Sequence, residues 1–170
     1  MKHTLIALVE DKPGVLNRVA SLFRRRNFNI ASLTVGHSET PDISRMTIVV
    51  DGAKTGIQQV ERQLAKLINV TEVQDVTHEP TVIRELALIK VSATAPTRAE
   101  IVQLVDIFRA KIVDVAAESL VIEITGPEDK IDSLVGLLQP FGIREMVRTG
   151  RVAMVRGENG TLSGATADAQ

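Results

Sequence analysis

The sequence predicts an α+β protein that consists of two ferredoxin-like βαββαβ units in tandem. Short apolar segments, typical of strands, alternate with segments whose apolar residues recur about every 3.6 positions, as on one face of a helix. In the first half of the chain these segments follow the order strand, helix, strand, strand, helix, strand. The same order then appears a second time, which indicates two similar units.

The first unit contains six expected elements. Strands are expected near residues 3–9, 28–36, 45–51 and 70–77, and helices near 14–26 and 54–67. The first helix is expected to place five apolar residues on one face: Val15, Leu16, Val19, Leu22 and Phe23. A polar loop at 36–44 joins the second strand to the third.

The second unit repeats this order. We expect a strand at 86–91, a helix around 101–108, a hairpin of 111–115 and 120–124, a helix around 131–138, and at least one strand within 143–155. The segment 46–52 matches 120–126 at an offset of 74 residues, whereas the first helices match at an offset of 85. The first unit therefore holds 11 extra residues between its second and third strands, most of them in the polar loop.

These patterns give the expected domain boundaries. The first domain is expected at 1–77, a linker at 78–82, and the second domain at 83–157. Residues 158–170 are rich in Gly, Ser, Thr and Ala and have no period, so we expect a disordered tail.

Composition argues against several classes of protein. The formal net charge is −1, so no global field attracts nucleic acid or an anionic membrane. A ferredoxin-like sheet that binds RNA stacks bases on aromatic residues, and this chain has only four Phe and no Tyr or Trp. No signal peptide, transit peptide or long apolar span is visible. We therefore expect a cytoplasmic protein without nucleic acid or membrane partners.

The sequence also lacks the usual signs of catalysis. There is no Cys, and His3, His37 and His78 are too scattered for a metal site, so no metal is expected. Neither a Gly-x-Gly-x-x-Gly pattern nor a Walker A motif is present. No catalytic residues are expected, because no acid, base and nucleophile converge in the pattern.

The segment 10–16, EDKPGVL, joins the first strand to the first helix. Gly14 falls where that helix begins. A helix N-terminus exposes N–H groups and partial positive charge, so it can hold a carboxylate or a phosphate, and glycine lets the ligand approach. The same pattern is also typical of an ordinary turn. The second unit has Ala95-Pro96-Thr97-Arg98 at this place, where Pro96 would start the helix and Thr97 cap it. It has no glycine there, so we expect a ligand site in the first unit only.

The second strand supplies the other half of this expected site. Asn27 can end the first helix in the left-handed conformation, and Asn29 offers both amide donors and an acceptor. In a ferredoxin-like sheet the second strand lies at an edge, where a second copy can pair with it. Gly14 of one chain would then face Asn29 and Ile30 of the other. Such a pocket suits a small zwitterion with an apolar side chain, with Asp11 near its ammonium group.

These residues resemble a known family. The pattern Asp-x-x-Gly-Val-Leu-x-Arg-Val, followed by 22–35, is similar to an amino-acid-binding ACT domain. Together with 44–48, 84–91 and 148–150, the order resembles the small regulatory subunits of acetohydroxyacid synthase, also called acetolactate synthase. The resemblance covers about residues 2–157.

The resemblance implies a non-catalytic subunit that forms a homodimer through its N-terminal ACT domain. It implies a large catalytic partner subunit that uses thiamine diphosphate, magnesium and FAD, with no cofactor in this chain. The small subunit would activate that partner and confer feedback inhibition by valine, with leucine or isoleucine as further candidate effectors.

By motif position, the resemblance places the valine site at five residues: Asp11, Gly14, Val15, Asn29 and Ile30. Two of the motif positions depart from the family. Asp11 stands where the family often has Asn, which adds a charge. Asn27 stands where it often has Gly, and both residues tolerate positive φ.

Two alternatives stay open at this point. One is a free-standing ACT-type amino-acid sensor that acts on another partner. The other is a small enzyme of ferredoxin-like fold, which the absence of a convergent acid, base or nucleophile disfavours. For the contact with a catalytic subunit we expect the second unit and its exposed sheet.

Overall fold

The computed structural model describes residues 1–52, 54–158, 160 and 162. They form two compact units, one of residues 1–82 together with the described residues from 151 onward, the other of residues 83–150. The elements are β1 (Lys2–Glu10), α1 (Val15–Arg25), β2 (Asn29–His37), β3 (Ile43–Asp51), α2 (Lys54–Ala65), β4 (Val70–Asp75), β5 (Thr81–Ser92), α3 (Ala95–Ile107), β6 (Lys111–Val115), β7 (Ser119–Gly126), α4 (Glu128–Leu138), β8 (Ile143–Arg148) and β9 (Val152–Val155). The predicted α+β class and both βαββαβ orders are confirmed.

In the first unit, an antiparallel sheet has the order β2-β3-β1-β4. The expected position of the second strand at an edge is therefore confirmed. Alternate residues of β1 and β3 pack against α1 and α2 in a core without Trp or Tyr, formed by residues such as Leu5, Ile48, Phe23 and Ile57. Residues at i, i+4, i+7 and i+8 from Val15 make the buried face of α1. Leu16 was expected on that face, but it lies beside the stripe and is 46% exposed.

The second face of this sheet is covered too, because the chain returns to the first unit after Gly150. Gly150 has φ +84°, a conformation that turns the chain where β8 has ended. Arg45 Nη2 then donates to the Ala153 carbonyl at 2.9 Å, and Arg151 Nη1 donates to Thr4 Oγ1 at 3.0 Å. Both faces of β1 are buried, and Ile6 on the second face lies near Met154 and Val155 of the returning segment.

This return changes the boundaries that the sequence suggests. The expected second domain extends to 157, whereas the residues from 151 onward group with the first unit. β5 begins at Thr81, inside the expected linker at 78–82. The expected disordered tail at 158–170 lies almost wholly outside the described residues.

In the second unit, the sheet order is β6-β7-β5-β8, and α3 and α4 cover one face. The start of α3 differs from the expectation. Thr94, not Thr97, is the N-cap, and Pro96 sits inside the first turn. The Thr94 N–H donates to Thr97 Oγ1 at 3.0 Å, so the two threonines cap the helix reciprocally.

A cluster of three charged side chains ties β8 to β5 and α4. Arg148 Nε donates to Glu85 Oε1 at 2.6 Å, and Arg148 Nη1 donates to Asp132 Oδ1 at 2.7 Å. Glu85 is buried, whereas Asp132 is exposed. The hydrogen bond to Glu85 is the main reason why the pKa of Arg148 is raised.

Candidate functional site

The start of α1 is open on the side of Gly14. Gly14 has φ +85° and ψ −9°, so a residue without a Cβ suits the turn into the helix. A Cβ at Gly14 would meet nothing within 4 Å, and no side chain in the described part of the chain caps α1. Val15 is buried directly behind this turn. The first N–H groups of the helix can therefore be reached from solvent.

Polar contacts hold the loop that leads into Gly14. The Glu10 carboxylate accepts from Lys12 Nζ at 2.8 Å and from Asn69 Nδ2 at 3.1 Å. The Asp11 N–H donates to the Asp42 carbonyl at 2.8 Å. These contacts fix the loop between the β2–β3 connection and the turn before β4.

Glu10 gives this loop a pH-dependent contact. Its pKa is lowered, chiefly by the hydrogen bond from Lys12 and then by that from Asn69. A lowered pKa means that the contact is fully present above the ordinary carboxyl value and is lost as pH falls through the folded-state value. We expect Lys12→Met to raise the Glu10 pKa toward the ordinary value, as measured by ¹³C NMR titration of the carboxyl carbon. An unchanged titration curve in Lys12→Met would contradict this assignment, and Lys2→Met serves as the control.

Asp11 lies at the same end of the unit. Its side chain is about half exposed, and its Oδ2 is 3.7 Å from Nδ1 of the exposed His37 at the end of β2. The carboxylate is therefore available to a ligand cation near the start of α1.

Asn29 and Ile30 lie elsewhere in the protomer. Asn27 has φ +56°, as expected for a left-handed residue after α1, and β2 begins two residues later. Asn29 and Ile30 line an open depression of about 350 Å³ beside the C-terminal half of α1, together with Arg24. The 11-residue helix is about 16 Å long. One protomer therefore groups Asp11, Gly14 and Val15 at one end of α1, and Asn29 and Ile30 at the other.

The sequence did not lead us to the support behind Asn29 and Ile30. The Phe28 ring lies against two glycines, Gly52 after β3 and Gly56 in α2. A Cβ at either glycine would overlap the ring, with 2.5 Å to Phe28 Cζ from Gly56. In the sequence, the spacing of four positions between these two glycines after a strand was the one feature that could have indicated a closely packed ring.

These glycines allow a test with a matched control. Gly136 in α4 is exposed, and a Cβ there would meet nothing within 4 Å, so Gly136→Ala should stabilise the chain by roughly 0.5–1 kcal/mol. Gly56 is also helical, but Gly56→Ala should instead destabilise by about 1–3 kcal/mol, because the Phe28 ring must move. Chemical denaturation measures both free energies of unfolding. Equal effects of the two substitutions would show that the Phe28 ring can move without loss of stability.

The described residues offer neither a metal site nor a membrane-spanning helix. No group of three or more His, Cys, Asp or Glu side chains there is arranged to hold a metal ion. None of the described helices is both long enough and apolar enough to span a membrane.

A βαββαβ unit with a glycine-started, uncapped helix and an edge strand beside it is an ACT-type unit, here followed by a second unit of the same order. A family model for the acetohydroxyacid synthase (AHAS) small subunit-like ACT domain matches residues 5–72. A family model for the small subunit of acetolactate synthase matches residues 84–157. Both halves of the chain are thus matched by models of one protein.

Individual relatives agree. The probable acetolactate synthase small subunit of Archaeoglobus fulgidus is 57% identical over 157 residues, which cover 92% of this chain and 98% of the relative. The acetolactate synthase small subunit of Mycolicibacterium smegmatis is 54% identical, covering 93% of each chain. The crystal structure of the small subunit from Thermotoga maritima superposes with a TM-score of 0.87 at 47% identity, covering 93% of this chain and 99% of that one. The chain belongs to the family of acetolactate synthase small subunits, as the sequence motifs indicated.

Proposed function

We propose that this chain is the regulatory subunit that activates the acetolactate synthase catalytic subunit and confers feedback inhibition by valine on it. The open start of α1 at Gly14 is the observation that carries this proposal. It offers a helix N-terminus that no described side chain caps, which suits the carboxylate of an amino acid. Membership of the small-subunit family supports the acetolactate synthase catalytic subunit as the partner. The process served is branched-chain amino acid biosynthesis in the cytoplasm.

The proposed valine site needs two protomers. The α1 start of one protomer would hold the carboxylate, with Asp11 near the ammonium group. Asn29 and Ile30 of a second protomer would close the pocket, because within one protomer they lie at the other end of α1 from Gly14. Ile30 would then contact the isopropyl group, whose burial contributes about 1.5–3 kcal/mol. Val15 would support the turn from behind, because its side chain is buried in the core.

The edge strand β2 supports this dimer. Among the described strands it pairs with β3 alone, so its other edge has backbone groups that a second β2 can use. Pairing of two copies there would bring each Asn29–Ile30 segment toward the partner's α1. Leucine and isoleucine differ from valine by about one methylene, so we expect modest inhibition by both.

The proposed mechanism is linkage between valine and the catalytic subunit. Valine would favour one arrangement of the dimer, and the catalytic subunit would respond to that arrangement. Coupling of this kind is typically about 1–3 kcal/mol, and the partner must change the affinity for valine by the same factor. The partner subunit would supply the chemistry with thiamine diphosphate, magnesium and FAD, while this chain contributes binding and regulation.

A calorimetric titration tests the effector. The full chain is titrated with valine, leucine and lysine at the same ionic strength. We expect saturable heat with valine, a weaker response with leucine, and none with lysine, because a second cation has no partner in the pocket. Equal binding of lysine, or no heat with valine, would remove the proposed site.

A pull-down tests the partner. The chain is expected to retain the acetolactate synthase catalytic subunit from the same genome and to raise its rate of acetolactate formation. Valine binding without retention of that subunit would instead favour a free-standing amino-acid sensor.

A further inference from the structure

A second cavity lies in the first unit, on the sheet face opposite α1 and α2. Its volume is about 310 Å³, at the lower end of the range for small-molecule sites. It lies between the sheet, the β2–β3 connection and the returning segment, which is the described part of the chain from Arg151 onward. These residues form its wall: Ile6, Glu39, Arg45, Met154, Val155, Gly157, Gly160 and Leu162. None of the five residues proposed to bind valine lines it.

Arg45 places a partly buried cation in this wall. One of its five N–H donors is used by the Ala153 carbonyl at 2.9 Å. Burial lowers the pKa of Arg45, and only the charge of Glu39 opposes that effect. The guanidinium is therefore partly dehydrated, and a carboxylate is an anion that such a group binds through paired hydrogen bonds.

A carboxylate, Glu39, lies near this cation. Glu39 belongs to the cavity wall and is exposed at its outer side. Its carboxylate is the charge that acts on Arg45. A carboxylate in the wall can accept hydrogen bonds from a ligand ammonium group.

The remaining walls are aliphatic. Ile6 and Leu162 are buried, and Val155 and Met154 complete the apolar side. One cation, one carboxylate and an aliphatic wall within so small a volume match the three parts of an amino acid: carboxylate, ammonium group and apolar side chain.

We propose that this cavity binds a small aliphatic α-amino acid within a single protomer. Arg45 holds the carboxylate, Glu39 accepts from the ammonium group, and Ile6, Val155 and Leu162 contact the side chain. The site is independent of the proposed valine site at α1 and does not need a second copy of the chain.

Methyl NMR of the full chain tests this site, with the Ile6 and Leu162 methyl groups as reporters. The probes are L-valine and isovalerate, which lacks the ammonium group. The same titrations are made with Gly14→Asp, in which valine is not expected to bind at the start of α1. We expect L-valine to shift both reporters saturably in the wild type and in Gly14→Asp, and isovalerate to bind more weakly.

Three variants locate the contacts. Arg45→Met should weaken L-valine at these reporters by about tenfold or more, since a charged hydrogen bond is lost. Glu39→Gln should remove the preference for L-valine over isovalerate. Leu162→Phe fills the cavity and should abolish both titrations, which keeps the proposal testable if Arg45→Met fails to fold.

Three results would overturn the proposal. One is the absence of saturable shifts at Ile6 and Leu162. Another is their loss in Gly14→Asp, which would assign them to the α1 site. The third is an unchanged titration in folded Arg45→Met or Leu162→Phe. Failure of the proposed function would be seen in a different experiment. It would appear as valine inhibition of the synthase that persists in Gly14→Asp.

Discussion

Gly14→Asp is expected to abolish valine inhibition of the reconstituted synthase while its activation by the small subunit persists. The new side chain would point into open space, because a Cβ at Gly14 meets nothing within 4 Å. Aspartate also tolerates positive φ better than most residues do, so the turn into α1 should survive. The new carboxylate would then repel the carboxylate of valine at the helix N-terminus. The rate of acetolactate formation as a function of valine concentration measures the effect.

Gly14→Asn is the matched control. It has nearly the same shape and the same tolerance of positive φ, but it carries no charge. We expect weakened inhibition in Gly14→Asn and no inhibition in Gly14→Asp, so that the difference between them reports charge repulsion. Inhibition of Gly14→Asp at wild-type valine concentrations would show that the valine pocket lies elsewhere.

Arg148→Met is expected to destabilise the second unit by about 2–4 kcal/mol. The substitution leaves the buried Glu85 without the guanidinium that donates to it at 2.6 Å and 3.3 Å. A buried carboxylate without a partner is costly, whereas loss of the exposed Asp132 contact adds little. Because Arg148 retains some exposure, the expected loss lies below that of a fully buried pair. Urea denaturation followed by far-UV circular dichroism measures the free energy of unfolding.

Two further variants separate the ion pair from other effects. Arg144 lies on the same strand and makes only exposed contacts. Arg144→Met should therefore lower the free energy of unfolding by no more than about 1 kcal/mol. The double variant Glu85→Leu with Arg148→Met replaces the pair by apolar side chains and should recover much of the loss. If Arg148→Met is no worse than Arg144→Met, the cluster does not stabilise the unit.

Local patterns made much of the fold predictable from the sequence. The strand and helix periods located both βαββαβ units, and the known strand order of such units placed β2 at an edge. Asn27 was predictable because few residue types other than glycine and asparagine adopt its left-handed conformation. The prediction that Leu16 lies on the buried face of α1 was wrong, because the sequence pattern does not define where the edge of that face falls.

Contacts between distant parts of the chain were not predictable in this way. Arg148 and Glu85 are separated by 63 positions, and nothing in either local segment specifies the partner. The same holds for the return of the chain after Gly150, which depends on tertiary contacts of Arg45 and Arg151. For the candidate site, the start of α1 followed from local sequence, whereas the support of Asn29 by Phe28 required the structure.

The cover supplied by the returning segment has a consequence for biosynthesis. Thr4 and Arg151 are 147 positions apart, yet both belong to the first unit. Domains made early in translation commonly fold while the rest of the chain is still being synthesised. Here the ribosome must have delivered the whole second unit before the outer face of β1 can be shielded. The emerging first unit therefore exposes Ile6 during elongation, and a premature stop before residue 151 would release a chain that chaperones and proteases recognise.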